Sequence, residues 1–175
     1  WGGSCFPKDM QALVRMADDA GYQFDLLRAV IEANEQQFVR IVSKAEQLTD
    51  DKLAGATITL LGLTFKAHTD DLRNSPAIEV ANLLSAKGAR LIAYDPMVDS
   101  EAALPEGIEL AQNMEQALAD SDIAVILTEW PEFARANWGA LRDSMNAPRV
   151  LDARNALDRH AMLDLGFQYD DLGRT

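Results

Sequence analysis

The first nine residues hold the only cysteine of the chain, at a point where a helix begins. Pro7 suits the first helical turn because that position needs no backbone N–H donor, and apolar residues recur at helical spacing from Met10 onward. The free N–H groups and the dipole of a helix N-terminus stabilise negative charge, so a cysteine at this place is favoured as the nucleophilic thiolate. The pattern predicts that Cys5 is a reactive thiol.

Two neighbouring features fit covalent catalysis by Cys5. The glycine pair Gly2-Gly3 allows another molecule to approach the backbone closely. Asp9 follows Cys5 by four residues, a spacing that brings two side chains onto one helix face, and a carboxylate within reach of a thiol can act as a general base. The alternative is that Cys5 is a small buried hydrophobic residue, as most lone cysteines are.

The run from Gly2 to Asp9, Gly-Gly-Ser-Cys-Phe-Pro-Lys-Asp, resembles the active-site motif of the nucleotide-sugar 6-dehydrogenases, the UDP-glucose/GDP-mannose dehydrogenase family. The resemblance implies oxidation of a primary alcohol to a carboxylate with two NAD molecules in succession. It implies that Cys5 forms a thiohemiacetal and then a thioester, while Asp9 orients the thiol or the hydrolytic water. The ligand contacts that it implies in this segment are Lys8 at NAD, and Gly2 and Phe6 at the sugar.

Phe6 after the cysteine favours UDP-glucose as the substrate and UDP-glucuronate as the product. GDP-mannose and UDP-N-acetylmannosamine are the alternatives within the family. A different alternative is a dimerising, nucleotide-sugar-binding module without chemistry of its own. The chain opens at Trp1 inside the motif, so we expect the C-terminal part of an enzyme whose N-terminal NAD-binding domain is absent here, and we expect no turnover by this part alone.

Composition limits the remaining possibilities. The chain has 175 residues, of which 48% are hydrophobic, enough to bury a core. A net charge of −12 argues against nucleic-acid binding. One cysteine excludes an internal disulfide and is consistent with a cytoplasmic location. No apolar run approaches the roughly 20 residues that cross a bilayer, and His68 and His160 lack ligand spacing, so neither a membrane nor a metal partner is expected.

Periodicity predicts two helices in residues 1–50. The first runs from about Pro7 to Ala20, and the second is capped by Asp25 and continues to Leu48 with one apolar face. The second helix would be roughly 35 Å long, which favours a bridge between domains or subunits over an ordinary core helix. In the family that the chain resembles, the corresponding helix links two domains and forms a dimer interface, so the expected partner is a second copy of the chain, bound through residues 25–48.

Residues 51–175 alternate between short β-rich runs and helical runs, which predicts an α/β, Rossmann-like parallel sheet with helices on both faces, preceded by the two-helix segment. The predicted strands are Thr57–Leu61, Ala89–Tyr94, Ile123–Leu127, Arg149–Leu151 and Phe167–Tyr169. The predicted helices are Ala77–Ala86, a helix near Met114–Ala119, segments around Phe133 and Trp138, and a helix from Arg159.

The loop after the first strand lacks Gly-x-Gly-x-x-Gly, which argues against ordinary NAD binding by this domain. Lys66 and Arg73 bracket the loop, and Ser75 can cap the next helix, an arrangement suited to phosphate groups. The alternative is a solvated loop whose cations pair with Asp70 and Asp71.

The same loop continues the resemblance, through Phe-Lys, an Arg seven residues later, and Ser-Pro. It implies that Phe65 and Lys66 contact the sugar nucleotide, and that Arg73 contacts the NAD phosphates. Arg154, after the fourth strand, is implied to reach the substrate. Asp95 ends the second strand, where dinucleotide folds hold a ribose hydroxyl, but a turn residue is the favoured interpretation.

Overall fold

The computed structural model describes residues 1–99, 102 and 104–173. Its helices are α1 (Phe6–Asp19), α2 (Asp25–Leu48), α3 (Pro76–Ala86), α4 (Met114–Leu118), α5 (Pro131–Arg135), α6 (Trp138–Arg142) and α7 (Arg159–Asp164). Its strands are β1 (Thr57–Leu61), β2 (Arg90–Tyr94), β3 (Ile108–Leu110), β4 (Ile123–Ile126), β5 (Arg149–Asp152) and β6 (Gln168–Asp171).

The strands form one parallel sheet in the order β3-β2-β1-β4-β5-β6. This is the doubly wound order. From β1 the chain adds β2 and β3 on one side, and it then crosses back to add β4, β5 and β6 on the other side. The central strands β1 and β4 are apolar and almost entirely buried, as strands covered on both faces must be. The predicted α/β, Rossmann-like fold is therefore confirmed, and the carboxyl ends of the strands lie along one edge.

Helices cover both faces of the sheet. On one face, α2 and α3 pack with the buried side chains of β1, β2 and β4 in one apolar cluster. On the other face, aromatic and aliphatic residues from α4 to α7 form a second cluster around Phe133 and Trp138. No helix of the described residues is long and apolar enough to cross a membrane.

Helix α2 joins the sheet to α1. Its C-terminal half is buried in the core through Ile41, Val42 and Ala45, whereas in its N-terminal half Leu27 alone is buried. The prediction that Asp25 caps α2 is wrong, because Phe24 occupies the N-cap position and Asp25 is the first helical residue. Asp25 instead places its charge in the first turn, where the helix dipole favours a carboxylate.

Strand β3 was not expected from the sequence pattern. It has three residues, of which Ile108 and Leu110 are half-buried and Glu109 is exposed, and it lies at the edge of the sheet beside β2. Three residues are too few to establish an alternating pattern. Only pairing with β2 identifies this segment as a strand.

Candidate active site

Cys5 occupies the N-cap position of α1 and is exposed to solvent. Pro7 lies in the first turn, as predicted, and the backbone N–H of Asp9 donates to the Cys5 carbonyl oxygen at 3.0 Å. The Cys5 sulfur lies 3.8 Å from the Ser4 hydroxyl oxygen. The interpretation of Cys5 as a buried hydrophobic residue is therefore wrong, and the thiol is open to a reactant.

Lys8 and Asp9 lie on the exposed surface of the first turn of α1. The Lys8 Nζ atom is 3.8 Å from a carboxylate oxygen of Asp9, and both side chains are about two-thirds exposed. Among the described residues, the Asp9 and Cys5 side chains form no direct hydrogen bond. Phe6, also exposed, has its ring edge-on to that of Trp1 at a centroid distance of 5.1 Å.

Gly2 and Gly3 pack residues 1–9, the Cys5 segment, against residues 62–75, the loop that follows β1. The Gly3 N–H donates to the Asn74 carbonyl oxygen at 3.0 Å, and a Cβ atom at Gly3 would lie 3.1 Å from the Phe65 ring. A Cβ atom at Gly2 would lie 2.5 Å from the Pro76 ring, a distance that no side chain tolerates. The close approach that these glycines permit is thus made by the chain's own residues.

Arg73 is held by Asp71 in that loop. The Arg73 guanidinium donates to both Asp71 carboxylate oxygens at 2.9 Å each, and the Arg73 backbone N–H donates at 3.0 Å. These hydrogen bonds lower the pKa of Asp71 to about 2. Lys66 is exposed, and its Nζ atom lies over the Phe65 ring at 5.3 Å from the centroid.

The N-terminus of α3 is closed by Ser75, as predicted. The Ser75 hydroxyl accepts from the Ala77 N–H at 3.2 Å and donates to the Leu63 carbonyl oxygen at 2.6 Å. A Cβ atom at Gly62, where β1 ends, would lie 2.5 Å from the Thr128 side chain. The backbone at the start of this loop therefore packs closely against Thr128, which follows β4, in agreement with the missing glycine fingerprint.

Asp95 is a buried structural carboxylate at the end of β2. It accepts hydrogen bonds from the backbone N–H groups of Leu63 and Thr64, the Thr64 hydroxyl, the Trp130 indole and the Met97 N–H. Asp95 is 2% exposed. Its oxygens are thus engaged in joining three loops at the sheet edge, which supports the interpretation of Asp95 as a turn residue.

Arg154 lies after β5 and pairs with Glu129, which follows β4. Their closest atoms, Arg154 Nη2 and Glu129 Oε2, are 2.6 Å apart. The buried carboxylate of Asp152 fixes this turn by accepting from the Arg154 N–H, the Leu157 N–H and the Tyr169 hydroxyl. Arg154 is exposed, so the guanidinium can exchange this partner for a ligand anion.

Two cavities lie between the first two helices and the sheet domain. The smaller, about 190 Å³, lies between Arg154 and the N-terminus of α3. The larger, about 390 Å³, lies between the Cys5 segment, α2 and α3, and Gly2 and Pro7 line it on either side of Cys5. Trp1 and Phe38 line both cavities.

The structure therefore brings Cys5, Phe65 and Arg73 into one region, with Lys66 on the same loop and Arg154 further along the sheet edge. Sequence reasoning missed Asn74, whose carbonyl oxygen holds Gly3 and whose φ angle is 49°. Asparagine tolerates this left-handed conformation, but an Arg-Asn-Ser run by itself does not predict it. It also missed Glu129 as the partner of Arg154. Among the described residues, no cluster of potential metal ligands occurs.

Residues 59–159 match the model of the UDP-glucose/GDP-mannose dehydrogenase family, UDP binding domain, and residues 1–36 match the central domain of the same family. The UDP-glucose 6-dehydrogenase YwqF of Bacillus subtilis is 40% identical over 176 residues, which cover 99% of this chain and 40% of the relative. The chain thus spans about two fifths of the length of the curated relatives it matches.

Solved structures agree with these matches. A UDP-glucose dehydrogenase from Pyrobaculum islandicum superimposes with a TM-score of 0.76 at 32% identity, over 87% of this chain and 34% of that chain. A UDP-D-ManNAc dehydrogenase from Pyrococcus horikoshii gives a TM-score of 0.78 at 28% identity, over 99% of this chain and 38% of that chain. Because one family model alone matches more than half of the sequence, the chain belongs to the UDP-glucose/GDP-mannose dehydrogenase family.

Proposed function

We propose that the chain is the catalytic-thiol and UDP-sugar-binding part of a UDP-glucose 6-dehydrogenase, which oxidises UDP-glucose to UDP-glucuronate. Residues 1–50 would be the end of a central helical domain, and residues 51–175 the UDP-sugar-binding domain. The observation that carries this proposal is the docking of the Cys5 segment onto the 62–75 loop through Gly3, which brings an exposed thiol beside Phe65 and Arg73.

The chemistry that Cys5 supplies is covalent retention of the half-oxidised sugar. Its sulfur adds to the carbonyl carbon of the aldehyde, and the carbonyl oxygen takes a proton, which gives a thiohemiacetal. Loss of the hydroxyl proton and of a hydride from that carbon leaves a thioester, and water then displaces the sulfur, which releases the carboxylate, the free thiol and a proton. Asp9, one helical turn from Cys5, would orient the attacking water as a general base.

NAD, when bound, supplies the oxidising power by accepting a hydride from the sugar carbon. The space between the end of β1 and the start of α3 does not fit a dinucleotide diphosphate, because Ser75 caps α3 and Thr128 occupies the space beside Gly62. The exposed cations Lys8 and Arg73 do fit a contact with its phosphates from outside that loop. We propose these two residues as the cofactor contacts of this chain.

The sugar nucleotide would lie along the cleft between the helical segment and the sheet edge. Phe65, Lys66 and Arg154 would hold the uridine and its diphosphate, and Gly2 and Phe6 would lie near the sugar. Arg154 would give up Glu129, whose Oε2 atom lies 2.7 Å from Nε and 2.6 Å from Nη2, for a phosphate, to which a guanidinium can donate two parallel hydrogen bonds.

The proposal is tested with a full-length protein that carries this segment, assayed with UDP-glucose and NAD. The wild-type protein should form two NADH per UDP-glucuronate, whereas Cys5→Ser should form no acid, because an alkoxide is a far poorer leaving group than a thiolate in the hydrolysis step. Product is quantified by chromatography and NADH by absorbance. Unchanged acid formation by Cys5→Ser would remove the thiol from the mechanism.

Asp164→Asn, a change at an exposed position on α7, serves as the control and should retain full activity. The 175-residue chain alone should show no turnover. Measurable NADH formation by it would contradict the proposal that these residues supply the thiol and the UDP-sugar-binding domain but not the NAD-binding domain. GDP-mannose and UDP-N-acetylmannosamine are the competing substrates, and UDP-glucose should give the highest kcat/KM of the three.

We further propose that the chain acts as a homodimer, with α2 at the interface. Exposed apolar side chains follow one another along α1 and the N-terminal half of α2, including Leu13, Met16, Leu26 and Val30. α1 buries no residue within the described structure, although its apolar residues recur at helical spacing. A second copy of the chain would cover this surface.

A further inference from the structure

The Asp71 carboxylate fixes the direction of an exposed cation. It receives both Nε and Nη2 of Arg73 at 2.9 Å, and its side chain is 16% exposed while that of Arg73 is 75% exposed. A planar guanidinium held at two points has a defined orientation, which one contact would not give. The cation is therefore open to solvent but not free to reorient.

The loop that carries this pair is bound to the segment that carries the thiol. The Ser4 hydroxyl makes a smaller contribution to the lowered pKa of Asp71, and its oxygen lies 3.8 Å from the Cys5 sulfur. One residue earlier, the Gly3 N–H is bound to the Asn74 carbonyl oxygen at 3.0 Å. Asn74, the residue after Arg73, is thus joined directly to the segment that precedes the nucleophile.

Charge effects agree with this geometry. Hydrogen bonds from Arg73 lower the pKa of Asp71 to about 2, so Asp71 is ionised at neutral pH. The pKa of Arg73 is raised, chiefly by its hydrogen bond to Asp71. Both members of the pair are therefore charged at neutral pH.

An exposed ion pair between residues two apart is usually a local feature of little energetic weight. Two observations set this pair apart from that case. Its carboxylate is only 16% exposed, and its arginine directly precedes Asn74, whose carbonyl oxygen binds Gly3, two residues before the only thiol of the chain.

We propose that Asp71 is a positioning residue that holds the Arg73 guanidinium beside the Cys5 sulfur, so that an anionic group approaching the thiol meets a fixed positive charge. This inference rests on the proposed function, in which the anionic groups are the diphosphates of the cofactor and of the sugar nucleotide. It adds to that function a residue that acts through Arg73 rather than touching a ligand.

The first test uses the 175-residue chain, in which Cys5 is the one thiol. We compare the rate of its modification by an anionic disulfide, 5,5′-dithiobis(2-nitrobenzoate), with that by a neutral one, 4,4′-dithiodipyridine. The ratio of the two rates removes effects on the intrinsic reactivity of the sulfur and reports the local charge. Arg73→Gln should lower the ratio about threefold, the size of one unit charge acting over several ångströms of water.

Arg73→Lys separates position from charge. Lysine keeps the positive charge but cannot form the two-point pair with a carboxylate. If Asp71 positions the cation, the Arg73→Lys ratio should lie closer to that of Arg73→Gln than to that of wild type. A ratio closer to wild type would overturn the proposal. Arg73 is largely exposed, so both variants are expected to fold, which circular dichroism verifies.

Asp71→Asn and Asp70→Asn form a matched pair, since each removes one carboxylate from the same loop and only the first breaks the contact with Arg73. Coulomb effects alone would raise the ratio in both variants. Positioning predicts a rise for Asp70→Asn and a ratio below wild type for Asp71→Asn, and a value at or above wild type for Asp71→Asn would contradict it. Asp71→Glu, which restores a carboxylate, should recover part of the loss.

A second arm uses a full-length protein that carries this segment. Arg73→Lys should raise KM for NAD about tenfold, as expected for the loss of a charge-assisted hydrogen bond, and should raise KM for UDP-glucose much less. A response of the thiol ratio without a response of KM for NAD would keep Asp71 as a positioning residue and would refute Arg73 as the cofactor contact. Failure of the thiol test would refute the positioning role whatever the kinetics.

Discussion

Asp95 joins three loops at the carboxyl edge of the sheet, and its partners come from positions far apart in the chain. Leu63 and Thr64 follow β1, Met97 follows β2, and Trp130 follows β4. Each hydrogen bond to a buried carboxylate is stronger than one between neutral groups. The 62–75 loop, on which the candidate site rests, therefore depends on one side chain outside it.

Replacing Asp95 by Asn should lower the free energy of unfolding by about 3 kcal/mol, because an amide NH₂ group would face N–H donors that now meet a carboxylate oxygen. Urea denaturation measures the change. Asp164→Asn, at an exposed position on α7, is the control and should change stability by less than about 0.5 kcal/mol. Equal effects of the two substitutions would show that the hydrogen bonds of Asp95 do not stabilise these loops.

Residue types near a strand end indicate where a site lies but not which side chains are free to serve it. The sequence predicted the exposed cations Lys66 and Arg73 and the Ser75 cap, since each depends on neighbouring residues. The partner of Arg154 could not be predicted, because Glu129 comes from another strand and meets it only in the folded sheet.

At the scale of elements, α3 holds the candidate site in place, because this helix begins directly after the loop that carries Arg73. Its N-cap residue Ser75 donates to the Leu63 carbonyl oxygen, its first residue Pro76 lies against Gly2, and its apolar side packs between α2 and the sheet. The position of the loop is thus set by how tightly α3 is held.

Two neighbouring leucines of α3 test this support. Leu84 is fully buried and Leu83 is 37% exposed. Leu84→Ala should lower the free energy of unfolding by about 3 kcal/mol through lost burial and a residual cavity. Leu83→Ala should cost about 1 kcal/mol or less. Thermal and urea unfolding measure both variants, and similar losses would contradict the packing described for α3.

The helical and strand periods predicted most elements because buried faces repeat along the chain. The long helix was expected to end at Leu48 and does. Its start was misjudged, since Asp25 has the composition of a cap but lies inside the first turn. Strand β3 escaped prediction because pairing at the sheet edge, and not its own pattern, defines it.

At the scale of the whole molecule, α1 and the N-terminal half of α2 have apolar faces that the described chain does not cover. Sequence periodicity identified these faces but could not tell whether they are buried in a core or against a partner, since both require the same spacing. Leu26, 73% exposed, and Met16, 67% exposed, are the most open of these residues. Exposed apolar patches of this kind commonly mark association surfaces.

The proposed dimer predicts that association depends on this surface and on no other apolar site. Leu26→Glu should make the chain monomeric at micromolar concentration, because a charge buried at the interface would lack a partner. Leu163→Glu introduces the same charge at another exposed leucine, 45% exposed on α7, on the opposite side of the sheet from α2, and should leave the dimer intact. Sedimentation equilibrium gives the mass of each variant. A monomeric wild-type chain would refute an interface on α2, and so would equal behaviour of the two variants. A dimer that is lost only with Leu26→Glu would assign the uncovered faces of α1 and α2 to a second copy of the chain.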